Sequence, residues 1–154
     1  MSKNNIIVDL DGTLCDIGHR LHLIQGEDKD YETFYKNCEY DAAHYDMCEL
    51  VSNLGYSGMV DSIYIITGRP NTYRAETDEW LDDHEIPYDK ILMRQEEDYR
   101  PDYEVKEDLV LSLMSRDGLK PSDIWLVLED NNSVVKMYRK LGFRVLQVDE
   151  GVLG

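Results

Sequence analysis

Residues 6–13, Ile-Ile-Val-Asp-Leu-Asp-Gly-Thr, put two acids at the end of an apolar run. Ile6, Ile7 and Val8 read as a strand buried on both faces of a parallel sheet. Gly12 then lets the backbone turn sharply. Side chains two apart on a strand point the same way, so Asp9 and Asp11 can face one site. That site lies at the carboxyl end of the strand, where open α/β sheets bind ligands. At ~4 Å and an effective dielectric of about 20, two such carboxylates repel by roughly 4 kcal/mol. A shared proton or a nearby cation relieves this. Both suit phosphoryl transfer, with Asp9 as nucleophile and Asp11 as proton donor. The plainer alternative is a strand ending in an Asp-Gly turn with solvated acids. The apolar strand before the pair and Gly-Thr after it favour chemistry.

The pattern repeats along the chain. Ser62–Thr67 is a second strong strand that ends in a polar residue and Gly68. Asn71 is placed to cap a helix running to about His84. Lys90–Met93 reads as a short third strand, followed by a charged loop over 95–102. Tyr103–Ser115 reads as a helix and Ile124–Leu128 as a fourth strand, ending in Glu129 and Asp130. Ser133 is placed to cap a helix through Leu141, which Gly142 ends. Arg144–Val148 is the last strand. Strands alternating with helices predict an α/β fold, a doubly wound parallel sheet of about five strands. Right-handed crossovers bring all the strand carboxyl ends to one edge. Residues 14–60 fit this scheme least. A helix over 46–54 is clear, and Tyr31, Phe34 and Tyr35 form a helical stripe. The stretch is short enough to be a small cap or helical insertion on a single domain spanning 1–154.

Transfer of a phosphoryl group to a carboxylate needs donors for the phosphoryl oxygens and a cation for the developing charge. Thr67 offers a hydroxyl and Gly68 a backbone N–H. Lys106, early in a helix, can neutralise both Asp9 and a phosphoryl oxygen. Lys120, just before Pro121, has little room to reach back. Glu129 and Asp130 together at the end of a buried strand are expensive without a cation. Magnesium prefers six oxygen ligands and keeps several waters. Asp9, the backbone carbonyl of Asp11, and Glu129 or Asp130 would make such a site. Two acids favoured by a helix dipole are the alternative.

The net charge of −16 repels nucleic acid and anionic membrane at long range, without forbidding a local phosphate pocket. Three Cys are an odd number without metal-ligand spacing and read as reduced thiols, which predicts a cytoplasmic protein. The first residues carry no signal-peptide pattern, and no apolar run is long enough to span a membrane.

These segments, Asp-Leu-Asp-Gly-Thr, Thr67, Lys106 and Glu129-Asp130, resemble in order the four motifs of the haloacid dehalogenase-like (HAD) superfamily. The resemblance implies a Rossmann-like HAD fold with a small or absent cap, a Mg2+ cofactor and an aspartyl-phosphate at Asp9. Thr-Gly-Arg at 67–69, Met-Arg-Gln at 93–95, Val-Lys-Glu at 105–107 and the run 129–142 resemble more narrowly the 3′-phosphatase domain of phage polynucleotide kinase. That likeness implies phosphate contacts from Arg69 and Arg94, and a phosphorylated substrate, the 3′ end of a nucleic acid. Small nucleotides, other small phosphate esters, or a non-catalytic phosphate-binding role on the same scaffold are the alternatives. The family usually reads Asp-Asp-Arg where this chain has Glu129-Asp130-Asn131, so one cation is missing. No phosphate loop of a kinase is present, and no protein partner is implied. Tyr31, Phe34, Tyr35, Tyr40 and Tyr45 are candidates to stack a base or to pack.

Overall fold

The computed structural model describes residues 4–152. In chain order its elements are β1 (Asn5–Val8), β2 (Cys15–Asp16), α1 (Tyr31–Lys36), β3 (Ala42–Ala43), α2 (Tyr45–Tyr56), β4 (Ser62–Pro70), α3 (Arg74–Asp83), β5 (Lys90–Arg94), α4 (Asp102–Asp117), β6 (Ile124–Glu129), α5 (Asn132–Lys140) and β7 (Val145–Gln147). Short 3-10 turns join several of them.

Five strands form one parallel sheet in the order β5-β4-β1-β6-β7. The first strand is therefore central, and the chain runs outward to one side and then to the other. The direction reverses between β1 and β6, the crevice where doubly wound sheets bind ligands. Asp9 follows one of these strands and Glu129 ends the other.

Alternation along the strands splits the core in two. Ile6, Val8, Ile63 and Ile65 face Cys48 and Val51 of α2 and Trp80 and Leu81 of α3. Ile7, Tyr64 and Ile66 face Val110 and Leu113 of α4 and Val134, Val135 and Tyr138 of α5. With helices on both faces, the strands need no polar side, which is why they read as continuous apolar runs. Among the described residues no helix is long and apolar enough to cross a membrane. The three cysteines are buried and free.

Local differences from the sequence reading have physical causes. Asn131, not Ser133, caps α5, its Oδ1 accepting from the N–H groups of Ser133 and Val134. Asn131 alone separates the strand-end acids from Asn132, where the helix starts, so the cap falls on the residue next to them. Asn71 caps nothing with its side chain. A 3-10 turn over Asn71–Tyr73 precedes α3. Strand β4 runs on to Pro70, with a register break against β5 after Thr67. Within 14–60 the sequence hid the two-residue pair β2–β3, with Cys15 opposite Ala43 and Asp16 opposite Ala42. Two residues per strand are too few to carry a periodicity.

Candidate active site

The carboxyl end of β1 delivers Asp9 into the crevice between β1 and β6. Asp9 is 3% exposed. Its Oδ1 accepts from Lys106 Nζ at 2.7 Å, and its Oδ2 from the Thr13 hydroxyl at 3.0 Å. Lys106 comes from the first turns of α4 and is itself fully buried. It also donates to Glu129 Oε2 at 2.8 Å. Burial alone would strip the ammonium of its proton, but Asp9 and Glu129 hold it protonated.

Glu129 and Asp130 do different things. Both Glu129 oxygens are engaged: Oε2 by Lys106, Oε1 by the N–H groups of Asp130 and Asn131 at 3.1 Å. Asp130 points to Asp9 and packs against Gly12. Gly12 has φ +88, and a Cβ there would strike the Asp130 carboxylate. The Thr13 hydroxyl lies 3.0 Å from Asp9 and 3.3 Å from Asp130, and its one proton serves only one of them. Burial, and then the Asp9 charge, push the Asp130 carboxyl up to about 8. Burial and Asp9 also push Glu129 up, against the pull of Lys106.

Asp9, Glu129 and Asp130 each present an oxygen within 4.8 Å of the others. Lys106 bonds two of these acids, Asp9 and Glu129, and burial with the Asp9 charge shifts Glu129 and Asp130 toward their protonated forms. This donor set, all hard oxygen, could hold a divalent metal ion.

Asp11 departs from the expectation of two acids sharing one cation. Its carboxylate groups with Asp41 and Cys15 rather than with Asp9. Arg20 Nη2 donates to it at 2.6 Å and Arg69 Nη2 at 2.5 Å. Burial would raise its carboxyl, but Arg69 and Arg20 outweigh that and hold it well below the usual carboxylate range. Its charge is balanced by guanidinium.

Arg20 was not singled out by sequence as a site residue. It is fully buried. Its Nε and Nη2 grip Asp41 at 2.7 and 2.6 Å, Nη1 donates to the Phe34 carbonyl, and the Phe34 ring lies 4.2 Å below its Cζ. Asp41 directly precedes β3, so the β2–β3 pair carries it over the site. His19 Nε2 at 2.7 Å and the Trp80 indole N–H, donating to its carbonyl at 2.8 Å, fix it further. The stretch 14–60 thus supplies Arg20 and Asp41 to the site's inner wall.

Thr67 and Gly68 lie at the end of β4 on the same cleft. Gly68 lets Asp102 come close, since a Cβ would meet the Asp102 carboxylate. The two arginines expected at the phosphate are placed differently from each other. Arg69 is 1% exposed and stands behind Asp11, spending itself on Asp11 and on the Thr77 hydroxyl at 3.0 Å. Arg94 does line the cleft. It donates to the carbonyls of Gly68, Asp98 and Arg100 and to Asp102 Oδ1, so four of its five N–H groups are committed. Asn131 caps α5 with its Oδ1 and brings no cation to the cleft. Lys120 stays in its loop, where its N–H bonds Asp123.

The cleft above these residues has a volume of about 1120 Å³. Tyr31, Phe34 and Tyr35 line it, while Tyr40 and Tyr45 are exposed elsewhere.

Sheet order and site together define the class. A structure of a haloacid dehalogenase-like hydrolase from Streptococcus pneumoniae aligns with 93% of this chain and 83% of its own, TM-score 0.63, at 16% identity. An L-2-haloacid dehalogenase from Xanthobacter autotrophicus aligns with 94% and 76%, TM-score 0.60, at 12% identity. Both share the HAD fold. More specific is the polynucleotide kinase PNKP phosphatase domain, whose pattern matches residues 3–152, and the chain belongs to that family. It is a HAD-type phosphoric monoester hydrolase. A chain from the Pnkp1/Rnl/Hen1 complex aligns with 99% of it, TM-score 0.77, at 29% identity. The match covers 47% of that longer chain, so this chain spans about half its length.

Proposed function

We propose that the chain is a magnesium-dependent phosphomonoesterase that works through an aspartyl-phosphate at Asp9 and removes 3′-phosphates from nucleic-acid ends. The observation that carries the mechanism is the Asp9 carboxylate, buried, fixed on both oxygens by Lys106 and Thr13, and open to the cleft. A buried nucleophile so oriented loses little entropy on attack. The 3′-phosphate as substrate rests on family membership.

Asp9 attacks phosphorus, and the ester oxygen leaves with a proton. Thr67, Gly68 N–H and the remaining N–H groups of Lys106 and Arg94 take the phosphoryl oxygens. Asp9, Asp130 and the backbone carbonyl of Asp11 would hold Mg2+, with Glu129 supporting from behind. The ion supplies charge neutralisation that lets an anionic carboxylate approach an anionic phosphate. Asp11 delivers the proton to the leaving oxygen and later takes one from the water that attacks phosphorus, breaking the Asp9–phosphorus bond and releasing inorganic phosphate. Its ionised, guanidinium-bound form is ready for the second of these tasks. The first requires that it take up a proton and loosen from Arg20 or Arg69.

The raised Asp130 gives a metal prediction with a defined sign. A carboxyl with a higher pKa in the folded state binds more protons there than unfolded, so stability falls as pH rises from about 4 toward 8. A bound divalent ion takes the proton's place. Saturating Mg2+ should therefore raise Tm by about 5–10 °C near pH 8, and by much less at pH 5. Thermal melts with and without Mg2+ at the two pH values check this. An equal shift at both would place the ion elsewhere.

For the substrate, phosphate release from a 3′-phosphorylated oligonucleotide is compared with release from its 5′-phosphorylated isomer. At least about tenfold preference for the 3′ ester is expected. Equal rates would leave only the general phosphomonoesterase.

A further inference from the structure

One wall of the cleft is aromatic and begins at the phosphate corner. The Tyr35 hydroxyl donates to the Gly68 carbonyl at 3.5 Å, so its ring stands directly beside the Thr67–Gly68 turn. Tyr31 stacks on Tyr35, with centroids 6.3 Å apart and planes at 27°. Tyr73 tilts against the same ring at 5.8 Å and 31°. All three line the cleft, and Tyr31 ends the wall 48% exposed. Buried aromatics in a core need no such staircase toward solvent.

The mouth has the opposite character to a strand-binding groove. Glu32, Glu96 and Glu97 stand there, all exposed. Of the nearby cations, Arg94 is committed to the Gly68, Asp98 and Arg100 carbonyls. Arg100 is paired with Asp98 at 2.9 Å and Asp108 at 2.7 Å, and Lys36 with Glu32 at 3.2 Å. Lys29 is left at the mouth, on a chain of net charge −16. A groove that tracks a phosphate backbone is basic and interleaved with stacking rings. This one has the rings without the basic track.

We propose that Tyr31, Tyr35 and Tyr73 form a base-stacking wall that holds a single nucleoside, and that the acidic mouth confines recognition to that terminal unit. The proposal rests on the phosphatase reading and deepens it. The esterified phosphate sits on the floor, and the sugar spans to the wall. The base lies against the tyrosine faces, which accept any base. Any further phosphates of a strand meet Glu96 and Glu97. Strand binding usually weakens with salt because counterions are released. Here repulsion dominates, so salt screens it and the strand reacts better.

The test measures kcat/KM of the full chain with Mg2+ on a nucleoside 3′-monophosphate, a short 3′-phosphorylated strand and glycerol phosphate, at low and moderate salt. The mononucleotide should equal or exceed the strand, and the strand's value should rise with salt. The ratio of mononucleotide to glycerol phosphate should fall about tenfold in Tyr31→Leu and again in Tyr73→Leu, mainly through KM. Two variants are used so that a folding defect in one leaves the other to decide. An unchanged ratio in both overturns the wall. A strand preferred over the mononucleotide, with a rate falling in salt, overturns the acidic limit. No release from any of the three esters would overturn the phosphatase reading itself, and the wall's role with it.

Discussion

Replacing Asp9 by Asn is expected to lower phosphate release by at least about 10⁴-fold, with no loss of stability. The amide keeps the shape of the carboxylate but cannot form an acyl phosphate. Asp9 also stands among three buried acids, and shares the Lys106 ammonium with one of them, Glu129. Removing its charge leaves Lys106 paired with Glu129 at 2.8 Å and relieves the pressure on Asp130. The variant should therefore melt at or above the wild-type temperature. Release from an aryl phosphate and from a 3′-phosphorylated strand gives the first quantity, and a thermal melt the second. A folded variant without turnover separates chemistry from scaffold.

Arg20→Met should act in the other way, through stability. Arg20 fills the buried space between Asp11 and Asp41 and is the main counter-charge of Asp41, whose side chain is fully buried. Without it Asp41 keeps His19 at 2.7 Å and Arg69 at 3.7 Å. Breaking a buried ion pair on one side costs about 3–5 kcal/mol, because the remaining charge is stranded. At this chain length that is a fall of about 6–20 °C in Tm. Adding Asp41→Asn removes the stranded charge and should recover part of the loss, which a double-mutant cycle measures. A single variant melting within a degree or two of wild type would show that Arg20 is not the keystone of this cluster. Activity should fall as well, since Asp11 loses one of the two groups that aim it.

Much of this site was readable from sequence for a simple reason. Strands buried on both faces are apolar throughout, so Ile6–Val8 and Ile124–Leu128 stood out, and the acids that end them stood out against the apolar run. Lys106 could be placed because α4 lies between the third and fourth strands, which fixes the edge its first turn reaches. The Asp11 clamp was not readable. Arg20 and Asp41 lie nine and thirty residues beyond Asp11, in short turns joined by a two-residue strand pair. Only the fold brings them together, and no periodicity marks them. Arg69 and Arg94 are assigned by motif alone, which says nothing of what else their donors serve. Their positions follow the pattern, but hydrogen bonds to Asp11, Thr77, Asp102 and loop carbonyls occupy most of their donors. Asn131 follows the same logic. With its Oδ1 capping α5, it makes a structural bond at the position where the resemblance implied a cation.

The claim at the centre is the covalent phosphate on Asp9. Enzyme mixed with a labelled phosphate ester and Mg2+, quenched in acid within a turnover and reduced with borohydride, tests it. The account predicts protein-bound label before quenching is complete, and reduction of residue 9 to homoserine in the peptide that carries it. Phosphate release at the full rate, with no bound label and an unmodified Asp9, would contradict it.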